Sequence, residues 1–221
     1  MSRPIARQEL ARLIEHTLLA ADATRAGIEQ LCGEARTHGF ASVCVHGSRV
    51  VQAVHFLEDT DIKVACAVGH PLGAADPDVK RYETEAAIDS DAHFIEVTAN
   101  LGRLKDGDDA YMLRELRDVV EAADERPVSV ALDITILGAD EIERATKLAI
   151  EADAKGISLS GGSDLPAMVE AVRRIREMAR ENFGLKVNRE ALSLSEAVTL
   201  IEAGATRFGL AQGVKLVEGL R

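Results

Sequence analysis

Aromatic side chains are almost missing from this chain: they make up 3% of its 221 residues, and there is no tryptophan. A core built without them has to be aliphatic and rich in alanine, as in closely packed α/β proteins. Cysteine is also thin. Cys32, Cys44 and Cys66 stand in apolar surroundings at scattered spacing, and an odd, scattered count argues against a disulfide framework or a zinc cluster. A reducing cytoplasm is the compartment that fits. No apolar run reaches membrane-spanning length. The opening Met1-Ser2-Arg3-Pro4 lacks a signal-peptide core, so the expectation is a cytoplasmic chain with no membrane partner. A net charge of −11 repels nucleic acid and anionic lipid over most of the surface. The charge favours solubility and identifies no substrate.

What is present points to a globular protein. Apolar residues reach 47% and charged residues 29%, which excludes a disordered chain. The length suits one domain over residues 1–221, large enough to bury a core without disulfides or metals. Short β-branched runs alternate with longer helical stretches from end to end, the mark of repeated βα units. The strands are expected at Ile14–Leu18, Ser42–Val45, Lys63–Val68, Phe94–Thr98, Val128–Ile134, Gly156–Leu159, Gly184–Val187 and Arg207–Leu210. Helices are expected between them, including Thr24–His38, Val79–Ile88, Asp108–Ala123, Asp140–Ile150, Leu165–Glu181 and Ser195–Ala203. In the first of these, Ile28, Leu31, Cys32 and Ala35 keep helical spacing. Asp22 or Thr24 caps its start and Gly39 fits its end.

No Pro/Ser-rich linker interrupts the series. The joint Ile150-Glu-Ala-Asp-Ala is echoed by Ile201-Glu-Ala-Gly-Ala, about one βαβα unit later, as a closed barrel of like units predicts. An open doubly wound sheet would usually carry a glycine-rich nucleotide turn after its first strand, and Leu19-Ala20-Ala21-Asp22 stands there instead. The fold class is therefore α/β, a single-domain (β/α)8 TIM barrel.

Strands of a parallel barrel are buried on both faces and should be nearly all apolar. Polar residues within them, above all near the carbonyl end where barrel chemistry sits, are the informative exceptions. Glu96 lies inside Phe94-Ile95-Glu96-Val97-Thr98, and Asp133 follows Ala131-Leu132. Glu15 and His16 are read as ending the first strand. Lys186, in Gly184-Leu185-Lys186-Val187-Asn188, is the one lysine placed within a strand near its carbonyl end. Lys63 and Lys155 come at strand starts and read as solvated. His46 and His70 close the second and third strands. With Glu96 and Asp133 they make a conceivable metal set, but ligands on separate strands have no local spacing to test, and loop histidines are the default. Gly161-Gly162-Ser163-Asp164 precedes a helix. Its amides suit an anion, and a Gly-Gly turn capped by Asp164 explains the run equally well.

At these residues the sequence resembles the deoxyribose-phosphate aldolase family over almost its full length. The resemblance is carried by Ile14-Glu-His-Thr-Leu-Leu, Gly39-Phe-Ala-Ser-Val-Cys-Val, Val68-Gly-His-Pro-Leu-Gly, Asn100-Leu-Gly-Arg-Leu-Lys-Asp-Gly and Ile201-Glu-Ala-Gly-Ala-Thr-Arg. It implies an aldolase that joins acetaldehyde to a sugar phosphate through a lysine imine, without metal or cofactor, and, by analogy, a homodimer. At the chemistry the match departs. The family's imine lysine stands in Val-Lys-Thr-Ser-Thr-Gly, and the corresponding stretch here is Ile157-Ser158-Leu159-Ser160-Gly161-Gly162. A second family lysine is kept as Lys186, but the phosphate-binding glycines after it become Arg189 and Glu190. The family's catalytic aspartate becomes Glu96, its fifth-strand lysine Ser129, and the glutamate after that Asp133.

An imine former needs an unprotonated amine, and nearby acids work against one. Glu96, Asp133 and Glu15 should keep Lys186 charged, which suits it to stabilising an enolate. The reading is a non-standard aldolase-type carbon–carbon lyase acting on a small carbonyl compound, in which Lys186 forms the imine or stabilises the enolate and Glu96 moves protons. Lys186, Glu96, Asp133 and Glu15 are its catalytic candidates. Cys44, His46, Thr98, Ser158, Ser160, Asn188, Gly161 and Gly162 are its substrate-binding candidates, with no metal ligand and no cofactor. The alternatives are an enzyme of the same fold with other acid–base chemistry, such as an isomerase, dehydratase or cyclase, and a non-catalytic binding homologue.

Overall fold

In a computed structural model, which describes residues 5–219, eight parallel strands hydrogen-bond in chain order and close into a barrel. They are β1 (Ile14–Leu18), β2 (Ser42–His46), β3 (Lys63–Val68), β4 (Phe94–Thr98), β5 (Val128–Asp133), β6 (Gly156–Ser160), β7 (Gly184–Arg189) and β8 (Arg207–Leu210). A short helix, α1 (Arg7–Ala11), precedes the barrel. The connecting helices are α2 (Arg25–His38), α3 (Val50–Leu57), α4 (Pro77–Asp89), α5 (Leu101–Asp106), α6 (Asp109–Ala122), α7 (Ala139–Glu151), α8 (Leu165–Met178) and α9 (Leu194–Ala203). Helix α10 (Gly213–Glu218) follows β8. This is the single-domain (β/α)8 architecture expected from the alternation of strands and helices. No helix among the described residues is long and apolar enough to cross a membrane.

Local chemistry sets the helix ends. Thr24, rather than Asp22, caps α2 by accepting a hydrogen bond from the Gly27 amide, and Gly39 ends that helix in the left-handed region at φ 69°. Asn100, Asp108 and Asp164 cap α5, α6 and α8 in the same way as Thr24. Helix α8 stops at Met178, short of the expected Glu181, because Ala179 is already extended.

The strands do not have two apolar faces. Side chains alternate across a strand, and here the two sets differ in kind. The outward set, including Val43, Val45, Val64, Val68, Ile95, Val97, Ile157, Leu159, Val187 and Phe208, joins the helices in one large aliphatic core. The other set points into the barrel and is small or polar: Glu15, Ser42, Cys44, Ala65, Ala67, Glu96, Ser158 and Lys186 are all buried there. Strand register confirms that they share a face, with Glu15 opposite Ser42, Ala67 opposite Glu96, and Ser158 opposite Lys186. Cys44, Ala65 and Ala67 form a small apolar cluster of their own with Leu19 and Phe94.

Candidate active site

Three strands bring one ammonium and two carboxylates together inside the barrel. Lys186 of β7 donates from Nζ to Glu15 Oε1 of β1, and the same nitrogen pairs with Glu96 Oε2 of β4. The side chains are 9%, 3% and 7% exposed, so both contacts are made away from bulk water. Ser42 Oγ donates to the other oxygen of Glu15 at 2.9 Å. Asn188 Nδ2 donates to Glu96 Oε1 at 3.3 Å and to Ser158 Oγ at 2.7 Å. The carboxylates are therefore held by hydrogen bonds as well as by charge, which is what makes a buried ion pair tolerable.

The electrostatics follow from this geometry. Burial by itself would lower the pKa of Lys186, but Glu15 and Glu96 outweigh it and raise the ammonium's pKa well above the ordinary lysine value. Burial would raise Glu15, yet Lys186, with help from Arg207 and Ser42, holds its carboxyl below the usual range. Cys44 lies near this group. Burial, then Glu15, pushes its thiol well above the ordinary value, which favours the protonated thiol over the thiolate.

Two cavities reach the buried cluster. At the carbonyl end, a mouth of about 460 Å³ is lined by Glu96, Thr98, Asp133, Ser160 and Asn188 together with His70, Arg189 and Glu190. That volume suits a small molecule. At the opposite end, a cavity of about 260 Å³ reaches Glu15, Glu96 and Lys186 past Phe94, Ser129 and Arg207. Glu96 lines both spaces.

Each candidate residue thus has a definite place. Glu15 stands second in β1 rather than at its end, and it caps no helix. Its neighbour His16 faces outward, where its Nδ1 bonds the Leu210 carbonyl and its Nε2 bonds Glu34. Lys186 is third of six in β7 and does not line the mouth. Asp133 sits at the rim, where Oδ1 accepts from the Thr135 amide and hydroxyl at 2.8 and 2.6 Å. Ser160 Oγ donates to the Leu132 carbonyl. His46 Nε2 bonds the Leu19 carbonyl at 3.0 Å. Gly161 and Gly162 have φ of 104° and 66°. A Cβ on Gly161 would fall 2.2 Å from Asp133 Oδ1, so glycine is needed there for close approach to the rim. Among the described residues, no three His, Cys, Asp or Glu side chains are placed to share a metal ion.

Sequence reasoning did not place Lys80 and Glu115, which support the mouth from behind. Both are fully buried, and Lys80 Nζ donates to Glu115 Oε1 and to the Thr98 carbonyl, each at 2.8 Å. One turn further along α4, Glu83 accepts from the Gly69 amide at 2.8 Å. Helix α4 thereby grips the ends of β3 and β4. Nothing local in the sequence separates Lys80 from a solvated helical lysine, and its partner lies 35 residues away.

Comparison with known proteins agrees with this architecture. No family model matches the chain. It is 41% identical over 212 residues to the deoxyribose-phosphate aldolase of Geobacillus sp. (strain WCH70), covering 95% of each chain. It is 39% identical over 212 residues to that of Streptococcus uberis, covering 96% of each. Among solved structures, it superposes on a Coccidioides immitis protein assigned to the same aldolases with a TM-score of 0.92 at 27% identity, over 100% of this chain and 88% of that one. The deoxyribose phosphate aldolase of Aeropyrum pernix, described as tetrameric, gives 0.88 at 23% identity, over 97% and 92%, and bears on the fold alone. With full-length identity of this order and the same closed barrel, the chain belongs to the deoxyribose-phosphate aldolase family.

Proposed function

We propose that this chain is an aldolase-type carbon–carbon lyase that acts on a small carbonyl compound without forming a lysine imine. The supporting observation is the position of Lys186 between Glu15 and Glu96. An amine flanked by two carboxylates in a buried site stays an ammonium, and an ammonium has no lone pair with which to attack a carbonyl. Ser158 stands where the family resemblance puts the imine-forming lysine, and its hydroxyl accepts from Asn188 instead.

Lys186 then works by charge. It lies just below the mouth and offsets the negative charge that builds up as a carbon–carbon bond breaks to an enolate. Glu15 fixes it in place. Glu96, which reaches into the mouth, moves protons. Thr98, Ser160, Asn188 and the rim carboxylate of Asp133 supply polar contacts to the substrate. Three mouth carboxylates, Glu96, Asp133 and Glu190, face a single guanidinium, Arg189, which favours a substrate of low negative charge.

The test joins turnover to trapping. Acetaldehyde is mixed with a panel of small acceptor aldehydes, bond formation is followed by NMR, and parallel samples are reduced with borohydride and weighed by mass spectrometry. The expected result is product without a reduced adduct, slowed about 10²–10⁴-fold by Glu96→Gln. An adduct on Lys186, undiminished turnover in Glu96→Gln, or no product with any acceptor overturns the proposal.

A further inference from the structure

Cleaving a β-hydroxy carbonyl moves protons at two positions: the hydroxyl loses one and the enolate carbon gains one. Glu96 is a single carboxylate at the floor of the mouth, so a second carrier is called for nearer the rim. His70 lines the same cavity as Glu96. Its loop is pinned, with the Gly69 amide donating to Glu83 and the Gly73 amide to the Gly69 carbonyl, both at 2.8 Å. Its ring lies 5.6 Å from that of His46. His46 is committed through Nε2 to the Leu19 carbonyl, whereas no described residue hydrogen-bonds the His70 ring. Those ring nitrogens are open to a molecule in the mouth.

We propose that His70 is a catalytic base of this site, taking the substrate hydroxyl proton while Glu96 delivers a proton to carbon. The inference rests on the lyase reading above. The hydroxyl O–H bond breaks and an imidazole N–H forms. The carbon–carbon pair passes into the enolate over Lys186. The imidazolium then gives its proton to Glu96, which protonates the enolate carbon. One proton leaves oxygen and one reaches carbon, so His70 and Glu96 both return to their starting states with no change of oxidation level.

The charges around the ring suit a base near neutrality. His70 is exposed at the rim; partial desolvation by the mouth wall, then the neighbouring His46, holds it below the ordinary histidine value, while Glu96 pulls the other way. The remaining charged groups at the mouth are Asp133, Arg189 and Glu190, with Glu83 behind the loop on the Gly69 amide.

The two roles separate experimentally. One assay follows cleavage of β-hydroxybutyraldehyde to acetaldehyde, which needs both proton transfers. The other follows exchange of the acetaldehyde methyl protons with deuterium oxide, which needs only the transfer at carbon. His70→Gln should slow cleavage about 10²–10⁴-fold, remove the loss of rate that the wild type shows as pH falls below the ordinary histidine range, and leave exchange intact. Glu96→Gln should lose both. Unchanged cleavage in His70→Gln, or exchange lost together with cleavage, overturns the role of His70 while the lyase reading stands. A wild type that catalyses no exchange overturns the lyase reading, and the role of His70 with it.

Discussion

Lys80 and Glu115 show how much depends on side chains that do not line the mouth. Burial lowers the pKa of the amine and raises that of the acid, and each partner opposes the shift in the other. The pair therefore survives only as a pair. Lys80→Met leaves a buried carboxylate uncompensated and should cost about 3–5 kcal/mol in urea unfolding. Lys80→Met combined with Glu115→Leu should recover most of that loss, because neither charge remains to be desolvated. Equal destabilisation of the single and double variants would show that packing, not charge, is at stake. Residues of this kind are hard to read from sequence. Lys186 stood out because a lysine inside a buried strand breaks an expected pattern. Lys80 breaks none, since lysine is ordinary on a helix and its burial is decided by what packs above it.

Secondary-structure elements were the most legible scale, because the physics that forms them is local. Every strand was expected within two residues of its observed ends. The left-handed glycine that ends α2 follows from residue chemistry alone, whereas its cap is narrowed by sequence only to Asp22 or Thr24 and is Thr24 in the structure. Thr24→Ala should therefore cost about 1 kcal/mol in thermal unfolding, and Thr24→Ser should be nearly neutral; an unchanged Thr24→Ala would mean that the Gly27 amide finds another acceptor. Helix α3 escaped the reading. Its sequence, Val50-Val-Gln-Ala-Val-His-Phe-Leu, is rich in β-branched residues, and local propensity gives way to burial of Val50, Ala53 and Leu57 against the core. The position of Glu15 was misplaced for a related reason. A run such as Ile14-Glu-His-Thr-Leu shows where a strand lies but not which of its residues enters the barrel.

Closure of the eight strands assembles the candidate site, and it belongs to the molecule as a whole. Glu15, Glu96 and Lys186 are far apart in the chain, and only the cylinder brings them onto one axis. The family resemblance made their proximity expected. The alternation that explains it was present in the sequence: Val-Cys-Val-His, Ile-Glu-Val-Thr, Ile-Ser-Leu-Ser and Leu-Lys-Val-Asn each set an aliphatic residue outward and a small or polar one inward. An expectation of strands apolar on both faces hid that period of two. With an ammonium and two carboxylates buried in the lumen, the decisive question is the charge on Lys186. Selective labelling of lysine ε-carbons allows Lys186 to be followed by NMR, assigned with Lys186→Met, from neutral pH up to the ordinary lysine value of 10.5. A resonance that keeps its protonated shift across that range is the predicted result. A midpoint below 10.5 would mean that the amine is free to attack a carbonyl, and would contradict the account of this site as one that works by charge.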